Sequence, residues 1–201
     1  MKILVTGFEP FGGETINPAA EILKQLPETI NGAKIITMLV PVVRYRSIDM
    51  IREEIKRSDP DIILSLGQAG GRAKLTVERI GINVDDQRIP DNDGKQVIDE
   101  AIYADGPDAY FASIPVKKVV QYINDAGVPA AVSNTAGTFI CNHVLYGIRY
   151  WLEREYPGKK SGFIHVPFLP AQSTDKGMDV PSMSLEDMVK GITAALCALS
   201  E

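Results

Sequence analysis

Apolar and polar positions along this chain follow two rhythms that take turns. Short runs nearly continuous in apolar residues fall at 2–7, 34–41, 61–66, 128–133 and 161–167, and segments with apolar residues at helical spacing fall at 18–26, 47–57, 116–126, 140–154 and 185–199. The first set predicts strands and the second helices, in βαβ order. The run from Asp61 to Leu66 is apolar on successive positions instead of alternate ones, which suits a mostly parallel sheet covered on both faces. Capping chemistry supports the boundaries. Asn17 precedes a helix-starting Pro18, and Ser184 stands three residues before Asp187 in a capping-box arrangement. Leu185, Met188, Val189, Ile192, Ala195, Leu196 and Leu199 recur on one side of the last helix, so that face is expected to be buried.

Residues 75–103 break the alternation. Short strand-like pieces flank the turn-forming Asp91, Asn92, Asp93 and Gly94, which predicts a short antiparallel excursion. The acidic turn does not read as a calcium loop, because Ile89 stands where the first ligand of an EF-hand frame ending at Gly94 would be and no Glu falls at the bidentate position.

The stretch "TGFEPFGGETINPAAE" from Thr6 puts a glycine-rich turn between a strand and a helix. Such a turn can cradle phosphate. Here Gly13 occupies the place of a P-loop lysine and Glu14 that of the metal-binding hydroxyl, and Phe8 and Phe11 stand where bare backbone would be needed. The turn suits something small, flat and uncharged; alternatively, it is a rigid turn whose rings cap the core.

The chain's 201 residues suffice for a single domain with one core. A net charge of −5 with scattered basic residues excludes a nucleic-acid footprint or polybasic membrane patch. No apolar run reaches the roughly 20 residues of a membrane span, and no leader segment precedes the first strand, so a soluble, cytoplasmic protein is expected. The two cysteines, Cys141 and Cys197, and two histidines give neither a disulfide framework nor metal-ligand spacing.

Two cysteines leave few candidates for a nucleophile. Cys197 lies beside the apolar stripe of the last helix and reads as a packed side chain. Cys141 falls in the first turn of a helix beginning near Thr138, where unpaired N–H groups and the helix dipole favour thiolate. It shares a face with Leu145, Ile148 and Leu152, which directs the sulfur beneath the helix, toward the carboxyl ends of the sheet. His143 is two residues on and faces away. His165 sits near the carboxyl end of a predicted strand and is the better base. Glu78 shares a strand face with Thr76, Ile80 and Ile82, an expensive position for a carboxylate unless a donor meets it, and could orient the imidazole. Arg79 points to the opposite face. Structural roles for each of these three residues stay open on spacing alone.

Taken together, "GFEPFGG" with "NPAAE", "GQAGGRAKLTVERIGIN", "VSNTAGTFICN" and "GFIHVPFLP" resemble, in order, motifs of the pyroglutamyl peptidase I family, also called pyrrolidone carboxyl peptidase. The resemblance spans residues 5–170. It implies a single-domain α/β/α sandwich over 1–201 with a twisted, mostly parallel sheet, acting as a cofactor-free and metal-free cysteine peptidase on peptides with an N-terminal pyroglutamate. It also implies a cytoplasmic homotetramer. Carried over by position, Cys141 is the nucleophile, His165 the general base and acid, and Glu78 its orienting partner. Phe8, Phe11 and Phe139 become walls of a lactam pocket, with Asn17, Gln68, Ile89 and Ile140 as further lining and Arg88 near the reacting carbonyl. Asn17 can equally serve as a helix cap alone. Two other readings fit the residues: a non-catalytic module binding a small lactam or nucleotide, and a cysteine amidohydrolase acting on glutamine side chains.

Overall fold

The structure is a computed structural model and describes residues 1–201. In chain order it contains β1 (Lys2–Phe8), α1 (Pro18–Leu23), β2 (Thr29–Ile30), β3 (Ala33–Val40), α2 (Arg46–Ser58), β4 (Ile62–Gln68), β5 (Leu75–Glu78), β6 (Ile80–Ile82), β7 (Ala109–Phe111), α3 (Val116–Asp125), β8 (Ala130–Ser133), α4 (Ile140–Glu155), β9 (Lys160–Val166), α5 (Pro170–Ser173) and α6 (Leu185–Leu199). Seven strands form one sheet in the order β2-β3-β1-β4-β9-β5-β8. The run β3-β1-β4-β9 is parallel throughout. Beyond it β5 joins β9 antiparallel, and β8 joins β5 parallel.

Alternate residues of these strands feed two cores. Ile3 and Val5 of β1 pack with Leu64 of β4 and Val77 of β5 beneath α1, α3 and α6, whereas Leu4, Ile63 and Phe163 pack beneath α2 and α4. Strands buried on both sides explain their continuous apolar runs, and helices on both faces make the expected three layers. The cap of α1 is the predicted one, with the Asn17 side chain accepting from Ala19 N at 3.0 Å before Pro18. Ser184 likewise caps α6 by accepting from Asp187 N at 3.1 Å.

One expectation is overturned. The segment carrying Glu78 is not one strand: β5 belongs to the main sheet and β6 pairs antiparallel with β7 in a separate two-stranded sheet. Glu78 therefore shares its face with Thr76 but not with Ile80 and Ile82. The pieces beside Asp91–Gly94 do run antiparallel as expected, without forming full strands: Asp85 and Glu100 exchange backbone bonds at 2.8 and 3.0 Å, and Gln87 N and Asp91 N donate to Val97 O and Lys95 O at 2.8 and 2.9 Å. The Asp91 carboxylate accepts from the N–H groups of Asp93 and Lys95 at 3.0 Å each, closing the turn at their tip. This excursion lies within the long connection between β6 and β7, which themselves pair antiparallel. No helix is long and apolar enough to cross a membrane.

Candidate active site

A cavity of about 710 Å³ opens beyond the carboxyl ends of β4 and β9. Four segments deliver its walls: the turn after β1 (Phe11, Gly12, Glu14), the end of β4 (Gln68 to Gly70), the loop before Asp91 (Asp86, Arg88, Ile89) and the start of α4 (Ala136 to Phe139). Cys141 and His165 line it too. In the turn after β1, Gly12 and Gly13 have φ of 62° and 84°, which lets the chain double back and present Phe11 toward Phe139. Their ring centroids lie 6.0 Å apart.

Cys141 is in the first turn of α4. Phe139 at the N-cap has no side chain able to satisfy the turn, and the first backbone bond of the helix runs from His143 N to Phe139 O at 3.0 Å. N–H groups ahead of it are thereby left for another acceptor. The sulfur points under the helix and rests on β4. A Cβ at Gly67 would stand 2.9 Å from Sγ and 2.7 Å from Cζ of Phe163. Gly67 is also the Cα partner of His165 across the β4–β9 pair, a spacing of about 4.8 Å. Only a glycine leaves room there for the thiol beside the imidazole. No direct hydrogen bond joins Sγ to the ring. Gly67→Ala is expected to lower activity at least about 100-fold by displacing the sulfur, and to cost roughly 1–3 kcal/mol of stability through overpacking; full activity in a folded variant would contradict this placement of the thiol.

Behind the imidazole, His165 Nδ1 lies 2.8 Å from Glu78 Oε1. Thr76 is the Cα partner of His165, so Glu78, two residues on, reaches the ring diagonally on the same sheet face. Glu78 is wholly buried. Its charge is met by Arg72, whose Nη1 donates to Oε1 at 2.6 Å and also to Thr76 Oγ1, while Nη2 donates to Thr135 O at 3.0 Å. Burial works against the carboxylate, but the hydrogen bond and charge interaction with His165, joined by Ser133 and Arg72, outweigh it and hold its pKa below the ordinary 4.5. An ionised Glu78 only accepts, so Nδ1 of His165 carries the proton and Nε2 is the free base.

Burial sets the remaining charges. It lowers the pKa of His165 below the ordinary 6.5 despite the opposing pull of Glu78. It pushes the Cys141 thiol up to about 12, with the charge of Glu78 adding and Arg72 and the cysteine's own N–H opposing. Burial thus acts against the thiolate that the helix position favours, and against the imidazolium.

Other candidates divide. Phe11, Gln68, Arg88, Ile89 and Phe139 line the cavity. Phe8 and Ile140 do not: they are 2% and 0% exposed in the core beneath α2 and α4, with Phe8 tilted against Phe163 at 6.3 Å. Asn17 is buried as well, spending its carbonyl on the α1 cap and its amide on Glu9 O at 3.0 Å. These three are supports, because the turn folds their side chains inward. Cys197 is a free thiol packed at the edge of the other core. His143 lies on another face of α4, between Asp85 at 2.8 Å and the N–H of Tyr45 at 2.9 Å. Arg72 is the functional candidate that spacing missed. A basic residue six positions before a buried carboxylate was its only signal, and the turn between β4 and β5 brings the two together.

The family described as pyroglutamyl peptidase matches residues 1–201. The pyrrolidone-carboxylate peptidase of Fusobacterium nucleatum is 57% identical over 195 residues, covering 97% of this chain and 91% of the relative. That of Staphylococcus haemolyticus is 56% identical over 201 residues, covering 100% and 94%. Among solved structures, pyroglutamyl peptidase I from Bacillus amyloliquefaciens superposes with a TM-score of 0.96 at 46% identity, covering 99% of this chain and 94% of the other. Pyrrolidone carboxyl peptidase from Thermococcus litoralis superposes with a TM-score of 0.94 at 40% identity, covering 98% and 92%.

Proposed function

The chain belongs to the pyroglutamyl peptidase family, and we propose that it releases pyroglutamate from the amino terminus of peptides with Cys141 as nucleophile, His165 as base and acid, and Glu78 orienting the imidazole. The observation that carries this assignment is the thiol resting on Gly67 beside a histidine whose far nitrogen is held by a buried carboxylate. As Sγ adds to the pyroglutamyl carbonyl carbon, Nε2 of His165 takes the thiol proton. The oxyanion meets the open N–H groups of the α4 first turn, with the exposed Arg88 guanidinium within the same cavity. Imidazolium then returns its proton to the departing nitrogen, the C–N bond breaks, and a thioester remains. Water attacks the thioester while His165 takes its proton, and the proton passes to the sulfur as pyroglutamate leaves.

Phe11 and Phe139 supply walls for an uncharged lactam, which enters without ion desolvation, whereas a free amino group would be penalised. Turnover of a chromogenic pyroglutamyl amide, set beside prolyl and glutaminyl amides, tests the substrate. Comparable rates on all three would rule out a lactam-specific cavity.

Burial of the imidazole sets the expected pH dependence. Protonated His165 cannot accept the thiol proton, so kcat/KM should fall as pH drops through a folded-state pKa that lies below 6.5. Above it the rate should stay level through the range where an ordinary thiol ionises, because this one is pushed up to about 12. A pH profile with its acidic limb above pH 7 would contradict this. Self-association as a homotetramer, also proposed, would cover the exposed apolar Ile98 and Phe111, 61% and 66% accessible. Sedimentation of a single monomeric species would remove it.

A further inference from the structure

One buried polar side chain beside the cavity is unused by the chemistry above. Gln172 follows β9 in the short helix α5 and is 6% exposed. Its amide orientation is set by two backbone groups of unambiguous polarity: Oε1 accepts from Leu169 N at 3.0 Å and Nε2 donates toward Ile16 O at 3.2 Å. Nε2 has two hydrogens for three acceptors in reach, and the Gln68 side chain at 2.9 Å is the nearest of them, ahead of Glu14 Oε2 at 3.1 Å, a carboxylate already met by Lys176 Nζ at 2.6 Å. Whatever atom Gln68 turns toward Gln172 must therefore be an acceptor, its Oε1. The Gln68 amino group is left without a protein partner, and Gln68 lines the cavity while Gln172 does not.

We propose that Gln172 is a positioning residue for substrate selection: by capturing Gln68 Oε1 it fixes the Gln68 amide as a hydrogen-bond donor into the cavity, matched to the ring carbonyl of a lactam. An amide free to flip would offer the ring carbonyl a donor or an acceptor, and the acceptor face repels it. A five-membered ring lacking the carbonyl gains nothing from the fixed donor, so discrimination arises from the unpaired donor that such a ring leaves behind. This inference rests on the lactam reading of the cavity. Absence of pyroglutamyl turnover in the wild-type protein would sink that reading, while the test below needs an active wild type and so fails separately.

The experiment is a double-mutant cycle on Gln172→Met and Gln68→Met, read as kcat and KM for a pyroglutamyl amide. Each single variant is expected to raise KM about 10- to 100-fold with kcat changed by less than about threefold, the usual size for a lost and unreplaced hydrogen bond. The double variant should be no worse than either single one. Alkylation of Cys141 should proceed at the wild-type rate in all four proteins, which a collapsed site would not permit. Should Gln172→Met fold poorly, Gln68→Glu decides: it leaves Gln172 and its partners in place and keeps an acceptor for Gln172 Nε2 but removes the donor aimed into the cavity, and the same rise in KM is expected, whereas an unchanged KM would overturn the proposal. Independent, additive losses from the two Met variants, or an unchanged KM in a folded Gln172 variant, would overturn the proposal.

Discussion

Cys141→Ser is expected to lower kcat/KM for a pyroglutamyl amide at least about 10⁴-fold, the scale seen when a nucleophile is removed from a cooperating triad. The replacement puts a hydroxyl beside Gly67, which shortens the reach of the attacking atom and replaces a polarisable sulfur with a far weaker nucleophile. Binding should survive, since Phe11, Phe139, Gln68 and Ile89 are untouched, and pyroglutamate should inhibit residual activity or protect the site as in wild type. Cys197→Ser is the internal contrast. That thiol packs against the core beneath α6 and should leave the rate nearly intact. Inactivation by the Cys197 change, with activity retained in Cys141→Ser, would reverse the assignment of the nucleophile.

Glu78→Gln should reduce kcat by about 10³- to 10⁴-fold, comparable with loss of the orienting acid in other triads. Glu78 Oε1 accepts from two donors at once, His165 Nδ1 at 2.8 Å and Arg72 Nη1 at 2.6 Å. A glutamine oxygen in the same place could accept both bonds but carries no charge to stabilise the imidazolium that forms in the reaction or to balance the guanidinium, and its amino group would be buried where Glu78 Oε2 has no partner. The uncompensated Arg72 should destabilise the fold by only about 1–3 kcal/mol, because Arg72 is partly exposed and keeps Thr135 O. A large activity loss with a modest stability loss is the expected outcome, measured by turnover and by denaturant unfolding. Losses of equal free energy in both would make Glu78 a structural carboxylate.

Much of the fold was legible because a strand buried on both sides has to be apolar at successive positions. All five predicted strands and all five predicted helices occur, and 185–199 coincides with α6. Pairing across the sheet was not legible. Nothing in the pattern of β5 and β8 marks that they run against β9, since their apolar residues meet the same core in either direction. The break at Arg79 was hidden for a related reason: β5 and β6 keep one alternation on each side of it while the chain passes between two sheets.

The site divides along similar lines. Cys141 was readable from its place at a helix start and from the stripe of Leu145, Ile148 and Leu152, and His165 from the end of β9. Phe8 and Ile140 were harder, since an aromatic or aliphatic residue next to a pocket residue looks the same whether it faces the cavity or the core. Burial of the thiol acts against what its helix position favours. Position along a helix is local information, whereas the desolvation that raises the Cys141 pKa comes from β4, β9 and their cover, which assemble from distant parts of the chain. Arg72 and Gln172 stayed invisible for the same reason, as each works through partners that only the tertiary turn brings near.

The central claim is that one thiol, Cys141, attacks a substrate held by its lactam ring. An alkylating pyroglutamyl chloromethyl ketone tests both halves together, with the modified residue mapped by peptide mass spectrometry and activity followed in parallel. One label per chain on Cys141, activity lost in step with labelling, and protection by free pyroglutamate are the predicted result. Labelling of Cys197 instead, or full activity after Cys141 is completely modified, would contradict it.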